Sequence, residues 1–311
     1  MPEKNNKYVY QPPAKFTEEL RQRINNAGFS DEFKQQIKSA QKEEGRKMFE
    51  RLTDESTAMT MIELNRIYNE DCLEGMKRIP DKSIDMILCD LPYGTTACKW
   101  DTVIPFEPLW EQYNRIIKDN GAIVLFGSEP FSSALRMSNI KYYRYDWKWD
   151  KVKPSTGLHA KIMPLKDYED IMVFYKKKTT YNPQMKEANI RIDKPRIANN
   201  GEAFGGKEIL RQHKNNGLSY PRAILRFSNA NQNNRLHPTQ KPVALCEYLI
   251  KTYTNEGETV LDNCMGSGTT AVACINTNRN FIGFELDPTY YAIAEERIKK
   301  AIGGKEDAGK K

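Results

Sequence analysis

Short apolar runs alternate with helical stretches between residues 66 and 301, and this alternation limits the possible folds more than any other feature. The run Ile84–Cys89 is apolar enough for burial on both faces, which is typical of a central strand in a parallel sheet. Strands that alternate with helices predict an α/β fold, with helices on both faces of a mostly parallel sheet. The predicted strands are Arg66–Asn69, Ile84–Cys89, Gly121–Phe126, Tyr142–Trp149, Asp170–Tyr175, Thr259–Leu261 and Asn280–Phe284. The predicted helices are Phe106–Lys118, Pro130–Met137, Val243–Thr254, Thr269–Asn276 and Thr289–Ala301.

The alternation is absent or interrupted in three parts of the chain. Residues 1–60 contain two short helical patterns without a broad apolar face and predict a helical extension. Residues 151–235 contain the end of the sheet and then a polar stretch rich in Asn, Gly and basic residues. The tail 303–311 is predicted to be disordered. Residues 61–150 and 236–302 are then the two halves of one α/β domain.

Composition excludes several classes of protein. The chain of 311 residues is 39% hydrophobic and 29% charged, and no run approaches the roughly 18 apolar residues of a spanning helix. The first residues have no apolar signal-peptide core, so we expect a cytoplasmic protein without a membrane partner. The six cysteines include no C-x-x-C pair and the three histidines lie far apart, so we expect no metal site.

Positive charge is concentrated in one segment. The chain has a net charge of +7, whereas residues 151–235 alone hold 17 Lys and Arg against 7 Asp and Glu, a net of +10. Clustered basic side chains displace counterions from phosphates, so this segment predicts a surface that contacts a polyanion. A solvated loop region is the alternative interpretation.

A glycine-containing loop follows the predicted strand Thr259–Leu261. Gly266 and Gly268 lie between this strand and the next helix, where missing side chains permit a tight turn and the close approach of a ligand. Glu285 ends the following strand, about 20 residues on, where a carboxylate can accept hydrogen bonds from ribose hydroxyls. This order predicts a nucleoside-cofactor site, and a simple tight turn is the alternative.

Two further segments adjoin predicted elements. Asp90-Leu-Pro-Tyr93 follows the buried strand directly and brings a carboxylate and an aromatic ring to the sheet edge of the glycine loop, although an ordinary turn explains it as well. His237-Pro-Thr-Gln-Lys-Pro242 precedes a predicted helix, and its donors suit a carboxylate at the helix N-terminus. A helix entry with proline in the first turn is the alternative.

Together these three segments resemble the β class of DNA amino-methyltransferases, which methylate exocyclic amino groups from S-adenosylmethionine. That family places a catalytic D-P-P-Y first, then a target-recognition region, then H-P-x-x-K-P and the cofactor loop. The resemblance implies a class I methyltransferase fold with a Rossmann-like, seven-stranded, mostly parallel sheet, circularly permuted so that the cofactor half comes last. Two departures stand out: Leu91 replaces the first proline, and Asn263-Cys264 stands where Pro-Phe is usual. Loss of the Pro-Phe packing is expected to weaken cofactor affinity.

The resemblance implies roles for individual residues. The implied catalytic residues are Asp90, Leu91, Pro92 and Tyr93. The implied cofactor-binding residues are Asp71, Cys72, His237, Thr239, Lys241, Pro242, Asp262, Cys264, Met265, Gly266, Ser267, Gly268, Thr269, Thr270, Glu285 and Leu286. Asp71 is the candidate acceptor for the amino group of the cofactor adenine, with a helix N-cap as the alternative.

In the mechanism that the resemblance implies, the Asp90 side chain and the Leu91 carbonyl accept hydrogen bonds from the target amine. Pro92 fixes the turn and Tyr93 stacks on the base, which must be flipped out of the duplex to reach the pocket. Aspartate at position 90 favours adenine N6, since N4-cytosine enzymes of this class usually carry serine there. Cytosine N4, methylation of protein glutamine or RNA, and a catalytically weakened DNA-binding protein remain alternatives.

DNA contacts are predicted in the basic segment. The candidate residues are Lys176, Lys177, Lys178, Arg222, Arg226, Asn229, Gln232 and Asn234. The three lysines are predicted to follow phosphates, or else to form a solvated turn, and the other residues to read base edges. The expected partner is double-stranded DNA, a cognate restriction endonuclease is a candidate partner, and the protein is expected as a monomer or homodimer encoded by a prokaryote or phage.

Overall fold

A computed structural model of the chain describes residues 62–95, 101–154, 157, 160–190, 192, 194, 196–199, 208–211, 215–229 and 240–308. The chain divides after Met61, next to the boundary predicted at residue 60. The helices predicted within residues 1–60 lie outside the described residues. In the described part of the chain, no helix has the length and apolar character needed to cross a membrane.

Strands and helices alternate as the sequence predicts. The strands are β1 (Arg66–Tyr68), β2 (Ile84–Cys89), β3 (Ile117–Gly127), β4 (Tyr143–Asp150), β5 (Tyr168–Phe174), β6 (Lys186–Glu187), β7 (Arg196–Asn199), β8 (Glu208–Arg211), β9 (Leu218–Ser219), β10 (Ile224–Arg226), β11 (Thr259–Asp262) and β12 (Asn280–Phe284). The helices are α1 (Cys72–Met76), α2 (Phe106–Ile116), α3 (Phe131–Ser138), α4 (Val243–Tyr253), α5 (Thr269–Asn276) and α6 (Pro288–Ala308).

Eight strands form the main sheet, in the order β1-β12-β11-β2-β3-β5-β4-β10. Neighbouring strands are parallel except that β5 runs antiparallel to both β3 and β4. The prediction of an α/β fold with a mostly parallel sheet is confirmed. The strand beyond the seven expected is β10, three residues long and contributed by the basic segment.

Apolar side chains cover both faces of the sheet. Within β2, Leu88 faces a core cluster that includes Leu249 of α4. The adjacent Ile87 faces a second cluster that includes Leu109 of α2. Successive side chains of a strand point to opposite faces, so a strand buried in both clusters must be apolar along its length.

The last helix is longer than predicted. The sequence prediction of a disordered tail from residue 303 is wrong for residues 303–308, because α6 continues through them to Ala308. Lys305 Nζ donates a hydrogen bond to the carbonyl oxygen of Ile275 at 2.6 Å, which ties this end of α6 to the end of α5. Residues 309–311 lie outside the described residues.

The direction of the chain reverses between β11 and β2. From β11 the chain continues to β12 on one side, and from β2 it continues to β3 on the other. Open α/β sheets bind ligands outside the carboxyl ends of the strands at such a switch point. We call this side, which follows β2, β11 and β12, the carboxyl edge, and the opposite side the amino edge.

Candidate active site

A cavity of about 610 Å³ lies at the carboxyl edge and spans the switch point. Most of the residues predicted for the site meet there, although they come from distant parts of the sequence. The predicted residues that line the cavity are Asp71, Cys72, Asp90, Leu91, Pro92, Tyr93, Asn229, Lys241, Asp262, Cys264, Met265, Gly266, Ser267, Thr269, Thr270, Glu285 and Leu286.

Several predicted site residues are placed elsewhere. Gly268 and Pro242 do not line the cavity: Gly268 is the N-cap of α5 and Pro242 the N-cap of α4. Exposed Arg226, at the end of β10, has its Nε atom 3.5 Å from Asp150 Oδ2, and Arg222 precedes that strand on the surface. His237, Thr239, Gln232 and Asn234 lie outside the described residues.

Asp90 follows β2 directly, and both of its carboxylate oxygens are hydrogen-bonded. Oδ1 accepts from the Tyr93 hydroxyl at 2.7 Å, and Oδ2 accepts from Lys241 Nζ. Burial raises the pKa of the Asp90 carboxyl above its ordinary value; the Lys241 ammonium opposes this rise and the Glu169 carboxylate adds to it. Asp90 is thus an acceptor with a fixed orientation and a perturbed pKa, as reacting groups often have.

Lys241 occupies a different neighbourhood from the one predicted. The sequence places it in the cofactor set, whereas its ammonium contacts Asp90 and lies 3.4 Å from Glu169 Oε2. The rings of Phe126 and Tyr93 lie 5.2 and 5.9 Å from Nζ. Burial would lower the pKa of Lys241, but the two carboxylates outweigh it and raise the pKa. Lys241 is therefore a buried ammonium ion on the Asp90 side of the cavity.

Glu169 and Lys151 were not identified from the sequence. Glu169 is the second residue of β5, Lys151 follows β4, and the Lys151 ammonium lies 2.5 Å from Glu169 Oε1. Burial would raise the pKa of Glu169, but Lys241 and Lys151 outweigh it and lower the pKa. Both residues line the cavity. A carboxylate near the start of β5 is a sequence signal for Glu169, but its use requires knowing that β5 runs antiparallel to its neighbours in the main sheet.

The turn after Asp90 is held by two kinds of contact. Tyr93 stacks on Phe131 with ring centroids 5.0 Å apart and planes inclined by 26°. The backbone amides of Gly94 and Thr95 donate to the Asp101 carboxylate at 2.8 and 2.9 Å. These contacts hold the aromatic ring beside the cavity.

The glycine loop is fixed by Glu285, as its position after β12 suggests. Glu285 Oε2 accepts from the Gly266 amide at 2.7 Å, and Oε1 accepts from the Asp287 amide at 2.8 Å. Burial raises the pKa of Glu285, and the two backbone amides oppose the rise. Arg297 of α6 supports the loop from behind and donates to the Ser267 carbonyl oxygen at 2.5 Å.

Gly268 packs closely against the last helix. Its φ is +82°, and a Cβ atom there would lie 3.0 Å from the Cβ of Ala294 in α6. The prediction that a ligand approaches this backbone stays a prediction. Close approach of the loop to the helix accounts for the glycine.

The Asn263-Cys264 departure forms a polar contact inside the core. The Tyr113 hydroxyl of α2 donates to Asn263 Oδ1 at 2.5 Å. Asn263 Nδ2 lies 3.5 Å from Cys72 Sγ and 3.6 Å from Cys264 Sγ. The amide is 2% exposed and uses both of its polar atoms, so it satisfies the buried tyrosine hydroxyl.

Two further predicted aspartates, Asp71 after β1 and Asp262 at the end of β11, line the cavity. Asp71 is the N-cap of α1, where Oδ1 accepts from the Leu73 amide at 2.7 Å, so the helix-cap alternative is realised while the residue also lines the cavity. Asp262 Oδ1 accepts from the Cys264 amide at 3.1 Å. Burial raises the pKa of Asp262 to about 6.

The three consecutive lysines lie away from the cavity. They follow the antiparallel strand β5, so they reach the amino edge. Lys176 Nζ donates to the Asn114 carbonyl oxygen at 2.8 Å, and Lys177 Nζ pairs with Asp119 at 2.7 Å. The structure therefore does not bring Lys176, Lys177 and Lys178 to the predicted site. Within the described residues, no group of three or more His, Cys, Asp or Glu side chains is placed to hold a metal ion.

Comparison with known proteins agrees with this geometry. Residues 84–296 match the model of a DNA methylase family whose members act on N6 or N4 amino groups. The chain belongs to this DNA methylase family. It is 28% identical to the type II methyltransferase M.HpaI of Haemophilus parainfluenzae over 77% of this chain and 76% of that protein. It is 29% identical to the DNA adenine methyltransferase YhdJ of Escherichia coli K12 over 77% of this chain and 84% of that protein.

Solved structures give the same family. The complex of M1.HpyAVI with SAM has a TM-score of 0.52 and 27% sequence identity, over 75% of this chain and 98% of that one. The cytosine-N4-specific PvuII DNA methyltransferase has a TM-score of 0.55 at 17% identity, over 76% of this chain and 87% of that one, and shows a shared fold. The described sheet of this methylase is thus the family's fold.

Proposed function

We propose that this methylase transfers a methyl group from S-adenosylmethionine to N6 of an adenine in double-stranded DNA. The main support for the proposal is that Asp90, Glu285 and the glycine loop all line one cavity at the switch point. The half of the cavity around Asp90 supplies acceptors for a target amine. The half around Glu285 and the glycine loop supplies a nucleoside site. No other pair of features in the described chain joins these two requirements.

The cofactor half has the donors and acceptors that S-adenosylmethionine needs. Glu285 retains free lone pairs for ribose hydroxyls, because each of its oxygens accepts only one backbone hydrogen bond among those described. Asp71 keeps a second carboxylate oxygen beside the cavity. When bound, the cofactor supplies a methyl group that its sulfonium already activates for displacement.

The other half orients the target amine. Asp90 and the Leu91 carbonyl are the acceptors for its two N–H groups, and alignment of the nitrogen lone pair accounts for most of the catalysis. Exchange of one N–H hydrogen for a methyl group releases one proton, and the Asp90 carboxylate is the acceptor positioned for it. Tyr93, which lines the cavity, offers a ring surface for a flipped base.

Adenine is favoured over cytosine by Asp90 itself. A carboxylate at this position is typical of adenine enzymes in the β class, and YhdJ, a relative that covers most of the chain, is named as a DNA adenine methyltransferase. M.HpaI is a type II methyltransferase by name, which makes a cognate restriction endonuclease a candidate partner of this chain. Monomeric and homodimeric states are both compatible with the proposal.

Labelled cofactor and unmethylated bacterial DNA test the proposal. After incubation, the DNA is digested and its nucleosides are identified by mass spectrometry, with Asp90→Ala as the inactive control. We expect N6-methyladenine, and sequencing then gives the recognition site. N4-methylcytosine would reassign the base, and binding without transfer would indicate a weakened enzyme.

A further inference from the structure

The cavity contains a line of four charged side chains that the DNA methylase assignment does not explain. Asp90, Lys241, Glu169 and Lys151 alternate in sign, and each contacts the next. They come from four separate segments: the end of β2, the residue before the N-cap of α4, the start of β5 and the residue after β4. Opposite charges that are paired and collectively neutral can be buried, whereas single ones almost never are.

Lys241 has little freedom within this line. Its side chain is 8% exposed, its ammonium contacts Asp90 Oδ2, and Glu169 Oε2 lies 3.4 Å from the same nitrogen. The rings of Phe126 and Tyr93 flank the ammonium. Two carboxylates from separate segments therefore hold the Lys241 ammonium at the same time.

We propose that Lys241 is a positioning residue that holds the Asp90 carboxylate for the target amine, and that Glu169, anchored by Lys151, holds Lys241 in turn. The inference rests on the proposed function, in which Asp90 accepts the amine hydrogens. Lys241 fixes Oδ2 while the Tyr93 hydroxyl fixes Oδ1. With both oxygens held, the plane of the carboxylate is set before the base arrives.

The two neighbours of Asp90 act in opposite directions on its charge. Lys241 favours the ionised carboxylate, and Glu169 opposes it through like charge. The other titratable groups around Asp90 are Tyr93, Cys89, Asp262, Cys246 and Lys151. None of them is removed by substitution of Lys241 or Glu169. Loss of the cation and loss of the carboxylate should therefore shift the titration of Asp90 in opposite directions.

Lys241→Met and Glu169→Gln separate these effects. We expect Lys241→Met to shift the acid limb of the kcat–pH profile upward by about one pH unit or more, since an opposite charge within contact distance is worth that much. Glu169→Gln, which is isosteric, should shift the limb downward, and Lys241→Arg should restore most of the wild-type profile. Affinity for S-adenosylhomocysteine should change less than about twofold, because neither residue contacts Glu285 or the glycine loop.

Lys118→Met is the matched control. Lys118 pairs with Asp85 at 2.6 Å near the other end of β2, so its loss removes a lysine–aspartate pair without touching Asp90. We expect an unchanged pH profile. Shifts of both cavity variants in one direction, or equal shifts in the control, would overturn the inference.

A second measurement does not depend on methyl transfer. The protein is prepared with carboxyl-labelled aspartate, the Asp90 signal is assigned with Asp90→Asn, and its titration is followed by NMR. Opposite shifts of the Asp90 titration in Lys241→Met and Glu169→Gln would support the positioning contact, even if the wild-type protein methylated no DNA. Absence of methylation would overturn only the proposed function. An Asp90 titration identical in all variants would overturn the inference.

Discussion

An aspartate paired with a lysine lies near each end of strand β2, and the two pairs have different surroundings. At the amino edge, Asp85 pairs with Lys118 at 2.6 Å and accepts a hydrogen bond from the Thr259 amide of β11 at 3.0 Å. At the carboxyl edge, Asp90 pairs with Lys241 and accepts from a tyrosine hydroxyl. Only the second aspartate lines the cavity.

The difference lies in what satisfies each carboxylate. Asp85 accepts from a backbone amide that is part of the sheet, so it joins β2 to β11. Asp90 accepts only from side chains in the described contacts, and a side chain can yield to or share with a ligand. The same residue type therefore stabilises the sheet at one edge and faces a substrate site at the other.

Replacement of the two aspartates should separate activity from stability most clearly. Asp90→Ala removes the acceptor for the target amine, so methyl transfer should fall by at least about 10²–10³-fold while S-adenosylhomocysteine still binds. Asp85→Ala should lower the free energy of unfolding instead. Transfer of labelled methyl groups measures activity, and calorimetry measures cofactor binding and stability. Asp90→Ala activity within tenfold of wild type would contradict the role given to Asp90.

Two glycines with nearly equal φ allow a similar comparison. Gly268 at the carboxyl edge has a φ of +82° and packs on Ala294, whereas Gly257 at the amino edge has a φ of +80° with no atom within 4 Å of a Cβ position. Valine at either position should cost about 1–3 kcal/mol of backbone strain, and at Gly268 about 1–3 kcal/mol more from overpacking. Urea unfolding gives both values. Only Gly268→Val should also weaken S-adenosylhomocysteine binding; equal effects of the two variants would argue against the helix contact.

Titration of Asp262, at the carboxyl edge, should make the free energy of unfolding depend on pH. Its pKa is raised from 3.8 to about 6 by burial, so the folded protein binds this proton more tightly than the unfolded chain. The resulting stabilisation of the folded state, about 3 kcal/mol, is fully present below the ordinary pKa of 3.8. It is lost as the pH rises from there through about 6. Asp262→Asn should remove this slope from urea unfolding between about pH 4 and pH 7. The slope should persist in Asp85→Asn, and its persistence in Asp262→Asn would assign it to other groups.

Glu285→Ala tests how far the glycine loop depends on one carboxylate. The variant removes the proposed acceptor for the ribose hydroxyls and also the acceptor of the Gly266 and Asp287 amides. A loss of about 1–3 kcal/mol in binding corresponds to roughly 5- to 150-fold weaker cofactor affinity. Calorimetry with S-adenosylhomocysteine measures the loss. Glu258→Ala, at the amino edge, is the control and should bind as wild type does; wild-type affinity in Glu285→Ala would mean that the cofactor lies elsewhere.

The smallest effect is expected for the three lysines at the amino edge. Their sequence predicted phosphate contacts, but Lys177 pairs with Asp119 there. Replacement of Lys176, Lys177 and Lys178 by alanine should therefore leave the salt dependence of DNA binding unchanged. A slope reduced by up to about three phosphates would mean that the DNA extends to this edge.

The sequence predicts the strands and helices well where apolar runs are continuous. The bounds of β2, α5 and β12 coincide with the predicted ones, because each has abrupt polar or glycine boundaries. The residues that end parallel strands, such as Asp90 and Glu285, were also predicted to meet. Parallel strands bring their carboxyl ends to one edge, so position along the chain is enough for this prediction.

Other parts of the site depend on contacts that the local sequence does not encode. Glu169 reaches the cavity, and the following lysines leave it, only because β5 is antiparallel. Lys241 lies 151 positions from Asp90 in the sequence, and its motif indicated a cofactor role. The position of Glu169 depends on the direction of β5, and the contacts of Lys241 depend on which carboxylates the folded chain brings to it. Both are properties of the tertiary structure.

The hydrogen bond between Tyr113 and Asn263 has a consequence for how this methylase can change over time. The pair consists of two buried polar groups that satisfy each other. A change at either position alone would leave its partner unsatisfied, at about 1–3 kcal/mol, a large part of the stability of a marginally stable fold. The two positions are therefore expected to covary among relatives. Replacement of Asn263-Cys264 by Pro-Phe would leave the Tyr113 hydroxyl without this acceptor, so it should be tolerated best together with a change of Tyr113 to phenylalanine.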